Sequence, residues 1–125
     1  MTLMQIIAVG SGGMLGSIAR YVATRTIDAK AGSIFPFGTF AVNIIGSFIL
    51  GIVFALAARK AGMDENLRLF FGTGLCGGFT TFSAFTLENF NLIQNRPLVA
   101  TGYILISVVA GISALALGFY AARTS

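Results

Sequence analysis

An all-α membrane protein built from four transmembrane helices is the fold class that this sequence predicts. Hydrophobic residues make up 56% of the 125 residues and charged residues only 10%, whereas charged residues make up about 25% of soluble domains. The mean hydropathy is +0.89. Eight basic and four acidic side chains could not cover the apolar surface of a soluble fold of this length, so we expect the chain to lie in a lipid bilayer.

Four apolar segments are long enough to cross a bilayer core of roughly 30 Å, which takes about 20 helical residues. They run over residues 3–23, 37–58, 67–93 and 98–122. The connections are short, and Pro36 and Pro97 stand just before a span, where the missing backbone N–H of proline costs least. We therefore expect residues 1–125 to form a single four-helix transmembrane domain.

The composition also excludes several kinds of site. The sequence contains no His and a single Cys, Cys76, which rules out a zinc site of His and Cys, an intrachain disulfide and a His-dependent catalytic triad. The net charge of +4 comes from basic residues scattered singly along the chain, which is typical of membrane-flanking charges. An enzyme is therefore the least expected class.

The basic residues give almost no signal for the orientation of the chain in the membrane. With four spans, one side would carry Arg59, Lys60, Arg68 and Arg123, and the other side would carry Arg25, Lys30 and Arg96. The positive-inside rule needs a clear excess on one side. Two explanations stay open: an orientation that is set by another route, or a chain that inserts in both directions and pairs as an antiparallel dimer.

The third span is predicted to be broken near residues 77–80. It contains Gly72, Gly74, Gly77, Gly78, Thr80, Thr81 and Ser83, and residues of these types disfavour a helix. Non-helical backbone at membrane depth is tolerated only where it is buried in protein or lines a cavity, and its exposed carbonyls and helix ends bind ions. The alternative is a continuous helix whose glycines permit close packing.

The first two spans carry polar side chains that need a reason. Arg20, near the end of span one, is either functional or paired, or anchors the helix at the interface. Gly12 and Gly16 form a small-xxx-small face that suits a close helix contact. A polar stripe on span two consists of Thr39, Asn43 and Ser47. Such a stripe either joins helices or lines a wet path.

Phe82 and Phe85 share a face of span three, where Thr81 and Ser83 are interleaved and Glu88 follows one turn later. Stripes of Phe are usually packing, but the edge of a phenyl ring is weakly positive and can face an anion. Glu88 is the one acid in this half of the span. It either closes a network at the helix end or meets a basic residue.

Tyr103 and Ser107 lie four residues apart on span four. Either Tyr103 lies at the membrane interface, or both hydroxyls face inward and form a track. Hydroxyls, amides and Phe edges suit a small, hard anion that accepts hydrogen bonds, but hydroxyl and carbonyl oxygens suit a cation equally well. These residue types alone leave the sign of the ion open.

Three sequence motifs occur together, and their order along the chain and the spacing between them are part of the pattern. They are GGMLG at residues 12–16 leading to Arg20, FGTFAVN at residues 37–43, and GGFTTFSAF at residues 77–85 leading to Glu88. With them the chain resembles, along its whole length, the Fluc (CrcB) family of bacterial fluoride channels. The resemblance implies passive, fluoride-selective export across the bacterial inner membrane. It also implies an antiparallel, dual-topology homodimer with two pores, which fits the flat charge distribution.

The resemblance also implies a role for each matching position. The residues implied to line the fluoride pore are Asn43, Phe82, Phe85, Thr81, Ser83, Tyr103 and Ser107. A structural Na⁺ at the dimer centre would be held by the backbone carbonyls of Gly77 and Thr80. Arg20 would attract anions toward a vestibule, and Glu88 would be a charge at the helix end. Where relatives carry a further hydroxyl one turn beyond Ser107, this chain has Gly111.

Two other classes share some of these features. A small dual-topology four-helix proton-coupled exporter has the same size and flat charge distribution, but such proteins typically need a carboxylate in the first span. Residues 3–23 contain neither Asp nor Glu. A structural accessory subunit would have no need of Asn43 or of the Thr-Thr-Phe-Ser run on separate helices.

Overall fold

The computed structural model describes residues 1–123, and within them every regular element is helical. The α-helices are α1 (Leu3–Ala31), α2 (Phe37–Ala57), α3 (Glu65–Arg68), α4 (Gly77–Phe79), α5 (Phe82–Asn95) and α6 (Pro97–Arg123), and a π-helical segment (Leu69–Cys76) joins α3 to α4. Residues 65–79 therefore run on without interruption, and we call them the first half-helix. The second half-helix is α5.

Three of these helices, α1, α2 and α6, are long and apolar enough to cross a membrane. The third predicted span is divided between the two half-helices, so neither half has the length of a full span. Together the three long helices and the divided one make the multi-pass, all-helical arrangement that the sequence predicts.

Helix α1 is longer than the predicted span, which ended at residue 23. The helix continues to Ala31 because residues 24–31 are polar but contain no helix breaker. It ends at Gly32, whose φ of +55° lies in the left-handed region that glycine adopts without steric cost. The first connection is therefore shorter than expected, and the end of α1 lies beside the start of α2.

Asp28 at the end of α1 caps the start of α2. Pro36 at the N-cap of α2 offers no side-chain hydrogen bond. Instead, the backbone N–H of Gly38 donates to Oδ1 of Asp28 at 2.8 Å. A carboxylate at a helix N-terminus satisfies a free N–H group and interacts favourably with the helix dipole. This tertiary contact thus joins the end of α1 to the start of α2.

Glycines bring the helix backbones into direct contact. A Cβ atom built on Gly12 or Gly16 of α1 would collide with the backbone of the first half-helix, and one on Gly51 of α2 would collide with the Leu115 carbonyl of α6. The predicted small-xxx-small face of α1 is therefore confirmed. Lipid supplies no hydrophobic force between helices, so close van der Waals packing of this kind holds the bundle together.

The helix break occupies Thr80 and Thr81, at the C-terminal edge of the predicted interval 77–80. Both residues are extended, with a ψ of 159° at Thr80 and a φ of −150° at Thr81. The expectation that the glycines open the helix is wrong, because Gly77 and Gly78 remain helical in α4. A Cβ on Gly78 would lie 3.1 Å from Cα of Gly13, so packing against α1 supports this segment.

Candidate functional site

A cavity of about 600 Å³ lies beside the break. Its wall is formed by α2, the first half-helix, the break itself, the first turn of α5 and α6. Five of the residues predicted to line a pore also line this cavity: Asn43, Thr81, Phe82, Phe85 and Ser107. The predicted ion-binding positions Gly77 and Thr80 line it as well. Two residues expected in the same pore, Ser83 and Tyr103, are not among its lining residues.

Asn43 joins α2 to the break through two hydrogen bonds to one residue. The side-chain Nδ2 donates to the backbone carbonyl of Thr81 at 3.1 Å, and the backbone N–H of Thr81 donates to Oδ1 of Asn43 at 2.7 Å. The amide therefore pairs with Thr81 as a neighbouring strand would. Asn43 has a second N–H group on Nδ2, and the residue lines the cavity.

The hydroxyl of Thr81 caps the second half-helix. Its Oγ1 accepts a hydrogen bond from the backbone N–H of Ala84 at 3.1 Å and lies 3.3 Å from Oγ of Ser83. This is the N-cap arrangement that threonine favours. The Thr81 hydroxyl thus has a structural partner, and Ser83 is exposed on the outer side of the turn.

The aromatic rings of α5 extend from the cavity into the protein interior. The ring of Phe82 is 5.9 Å from that of Phe85, which in turn makes an edge contact of 4.9 Å with Tyr103. Tyr103 makes a second edge contact, of 5.0 Å, with Phe35. Phe82 is 75% exposed, so one face of this aromatic series has no cover within the subunit.

Glu88 accepts hydrogen bonds from two hydroxyl groups of neighbouring helices. Thr39 Oγ1 donates to Oε2 at 2.5 Å, and the Tyr103 hydroxyl donates to Oε1 at 2.9 Å. Tyr103 is fully buried, so its side chain faces the protein interior and not lipid. Of the two readings of Glu88, a hydrogen-bonded network is the one observed, but Glu88 lies in the middle of α5 and not at a helix end.

The same carboxylate lines a second, smaller cavity of about 250 Å³. Two amide residues of α5, Asn91 and Asn95, lie beside it in this wall. The two cavities have no lining residue in common. Glu88 therefore connects the wall of the smaller cavity to Thr39 and Tyr103 through hydrogen bonds.

Ser107 differs from the other hydroxyl groups of the site. Its Oγ is buried and makes no hydrogen bond with any residue that the structure describes, and the residue lines the larger cavity. Gly111, one turn further along α6, lines the same cavity. The track on α6 therefore has one engaged hydroxyl, on Tyr103, and one unengaged hydroxyl, on Ser107.

Arg20 binds the backbone of the first half-helix instead of extending to the interface. Its Nε donates to the carbonyl of Gly78 at 2.9 Å, and the side chain is half-buried. A cation at the C-terminal end of a helix satisfies a free carbonyl and interacts favourably with the dipole. The paired reading of this arginine is therefore the one observed.

Sequence reasoning missed two cavity residues, Thr73 and Cys76, on the first half-helix. Together with Gly77 and Thr80 they follow helical spacing, so they share one face. That spacing could have identified them. They were missed because the whole run 72–81 was interpreted as a poor helix former, so no helical face was assigned to it, whereas residues 69–79 are helical.

This fold and this cavity define a multi-pass helical membrane protein in which polar and aromatic side chains meet at a helix break. Residues 7–119 match the family described as CrcB-like protein, Camphor Resistance (CrcB). The chain belongs to this family. It is therefore a membrane protein and not an enzyme, and a multi-pass location in the bacterial plasma membrane is consistent with its fold.

Relatives cover almost the whole chain. A protein of Azobacteroides pseudotrichonymphae is 48% identical over 120 residues, which cover 94% of each chain. One from Novosphingobium aromaticivorans is 45% identical over 121 residues, again 94% of each chain. One from Agrobacterium fabrum is 41% identical over 122 residues, or 97% of this chain and 98% of its own. Each of these relatives is named "Fluoride-specific ion channel FluC".

Proposed function

We propose that this protein is a fluoride-selective channel that releases cytoplasmic fluoride passively. The cavity at the helix break carries the proposal. Its polar groups are uncharged hydrogen-bond donors, among them the unengaged Ser107 hydroxyl and the second N–H group of Asn43. Donors of this kind replace the water shell of a small anion without trapping it, as conduction requires. The names of the relatives supply the identity of the ion.

The ion path runs from the larger cavity past Phe82 and Phe85 toward Tyr103. Ring edges carry a weak positive potential and offer an anion attraction without a formal charge. Hydrogen fluoride crosses a membrane as a neutral molecule and ionises inside the cell, so a cell accumulates fluoride. An inside-negative potential then favours outward movement by about 2.3 kcal/mol for each elementary charge and 100 mV.

The channel is proposed to be an antiparallel, dual-topology homodimer with two pores. Support comes from the open side of the cavity, where Phe82 is 75% exposed and the extended residues Thr80 and Thr81 form part of the wall. Non-helical backbone at membrane depth needs protein around it. A second copy of the chain would provide that cover, and the even distribution of basic residues fits insertion in both directions.

The proposed structural Na⁺ fits the backbone at the break. The N–H of Thr81 is directed at Asn43, so the carbonyl of Gly77, four residues earlier, loses the donor that a continuing helix would supply. Carbonyls at interrupted helices are ligands that Na⁺ accepts. In residues 1–123, no group of three His, Cys, Asp or Glu side chains could hold a metal. Gly77 and Thr80 would hold the ion, which would supply a fixed positive charge.

Fluoride efflux from liposomes that contain the purified protein tests the function. Valinomycin clamps the voltage, and chloride-loaded liposomes are the control. Fast release of fluoride but not of chloride, in the absence of a proton gradient, is the expected result. Release that requires proton movement would point instead to a proton-coupled exporter, with Glu88 as the group to examine. Release of neither ion from folded protein would contradict the proposal.

Phe82→Ile is expected to slow fluoride efflux by about two- to tenfold, because an aliphatic side chain lacks the positive ring edge, whose interactions are worth ~0.5–1.5 kcal/mol. The initial efflux rate at equal protein density is the measurement. The matched control is Phe90→Ile, because Phe90 lies on the same helix and is 63% exposed but does not line the cavity. Equal rates for Phe82→Ile and wild type would make Phe82 a packing residue.

A further inference from the structure

We propose that Asn43 is a positioning residue, which holds the peptide of Thr81 in its extended conformation and thereby sets where the second half-helix begins. The observation is the pair of hydrogen bonds that joins one amide side chain to both backbone polar groups of a single residue. The consequence for conduction rests on the proposed function. The two hydrogen bonds between Asn43 and Thr81 are a property of the fold, so they are tested without any ion.

One of the two bonds satisfies a group that the break leaves without a helical partner, the N–H of Thr81. The other gives a second donor to the Thr81 carbonyl, which as the N-cap carbonyl already accepts the first bond of α5. The N–H of Thr81 bonds to Oδ1 of Asn43, not to the helix that ends at Phe79, and the carbonyl of Thr81 bonds to Nδ2. An unsatisfied buried backbone group is costly, so the Thr81 N–H needs a partner in a membrane. Asn43 is fitted to this task because its side chain carries one acceptor and a donor on the same planar group.

The hydrogen bonds between Asn43 and Thr81 also determine where the aromatic residues of the cavity are placed. The Thr81 hydroxyl caps α5 through the N–H of Ala84, so the conformation of Thr81 fixes the first turn of that helix. Phe82 is the next residue, and Phe85 lies one turn later with its ring 5.9 Å from that of Phe82. An amide on α2 thus determines where two rings on α5 are placed.

Arg20 holds the other edge of the same break. Its Nε donates to the carbonyl of Gly78 at the end of the first half-helix, while Asn43 binds the residue that starts the second. Neither contact is local, since Arg20 and Asn43 are separated from their partners by 58 and 38 residues. The break is therefore held by two other helices.

Hydrogen exchange at the Thr81 amide, followed by NMR of protein with isotope-labelled threonine and phenylalanine in nanodiscs, tests the proposal. In the wild type this amide is expected to be protected, although its residue is not helical. In Asn43→Ser the shorter side chain cannot reach both groups, and exchange is expected to be about fivefold faster, which corresponds to the loss of one hydrogen bond of ~1 kcal/mol. The ring resonances of Phe82 and Phe85 should shift in that variant, while those of Phe119, which packs against Phe54, should not.

Asn43→Asp separates this role from direct contact with the ion. Asp keeps the acceptor for the Thr81 N–H, so protection of that amide should fall less than in Asn43→Ser, although both variants are expected to conduct poorly. The control for the exchange is Asn66→Ser at the opposite end of the first half-helix. An unprotected Thr81 amide in wild-type protein, or unchanged protection in Asn43→Ser, would overturn the proposal. Either result would leave fluoride flux in the wild type, and so the proposed function, untouched.

Discussion

Asn43→Asp is expected to reduce fluoride efflux by about a thousandfold, because a fixed negative charge on the cavity wall repels an anion. Two like charges about 4 Å apart at an effective dielectric constant of about 20 repel by ~4 kcal/mol. The substitution keeps the size of the side chain but removes both N–H donors. It also sets a carboxylate oxygen against the Thr81 carbonyl that Nδ2 now binds at 3.1 Å.

The measurement is the initial rate of fluoride release from liposomes, with the voltage clamped and the amount of incorporated protein matched. Asn66→Asp is the matched control, since it makes the same change at the start of the first half-helix, away from both cavities. Its rate should equal that of the wild type. Fluoride release by Asn43→Asp at the wild-type rate would count against a path beside Asn43.

Gly16→Ala is expected to destabilise the protein by about 1–3 kcal/mol, the usual cost of overpacking. A Cβ at this position would collide with the carbonyl of Leu75 and would lie 2.9 Å from the backbone N of Phe79. Backbone atoms cannot move aside as the tip of a flexible side chain can. Helix α1 must therefore move away from the first half-helix, which also disturbs the nearby bond from Arg20 to Gly78.

Thermal unfolding of the detergent-solubilised protein, followed by size-exclusion chromatography, measures the effect as a lower Tm. Gly10→Ala is the control on the same helix, because no atom lies within 4 Å of a Cβ built there. That variant should match or slightly exceed the wild type, since Ala is the better helix former by about 1 kcal/mol. Equal stability of Gly16→Ala and Gly10→Ala would show that α1 does not pack closely at Gly16.

The positions of the long helices follow from composition. Runs of apolar residues identified α2 and α6 to within a few residues, because a backbone in lipid must satisfy its polar groups internally and so forms helices. The family motifs were equally visible, since each lies in one continuous segment. The polar end of α1 was missed because span length was read from hydropathy, whereas the helix continues to its left-handed cap at Gly32.

The location of the break could not be read from local propensity. Gly77 is a poor helix former in isolation, yet it remains helical, and the extended residues are Thr80 and Thr81. The first half-helix lies against α1, where the absent side chains of Gly74 and Gly78 allow contact between backbones. Packing of this kind stabilises a regular helix. The interruption therefore occurs at Thr80 and Thr81, where Asn43 and the Thr81 cap provide other hydrogen-bond partners for the backbone.

The sequence predicted which residues need a polar partner, and the three-dimensional packing determined which partner each one has. Arg20, Asn43 and Glu88 were all identified as costly in lipid, but alternatives stayed open for each. The partner of Arg20 lies 58 residues away along the chain and that of Asn43 lies 38 residues away, while the two partners of Glu88 lie 49 and 15 residues away. No local pattern encodes such a pairing, because it arises only when glycine contacts bring the helices together and place the partners within reach.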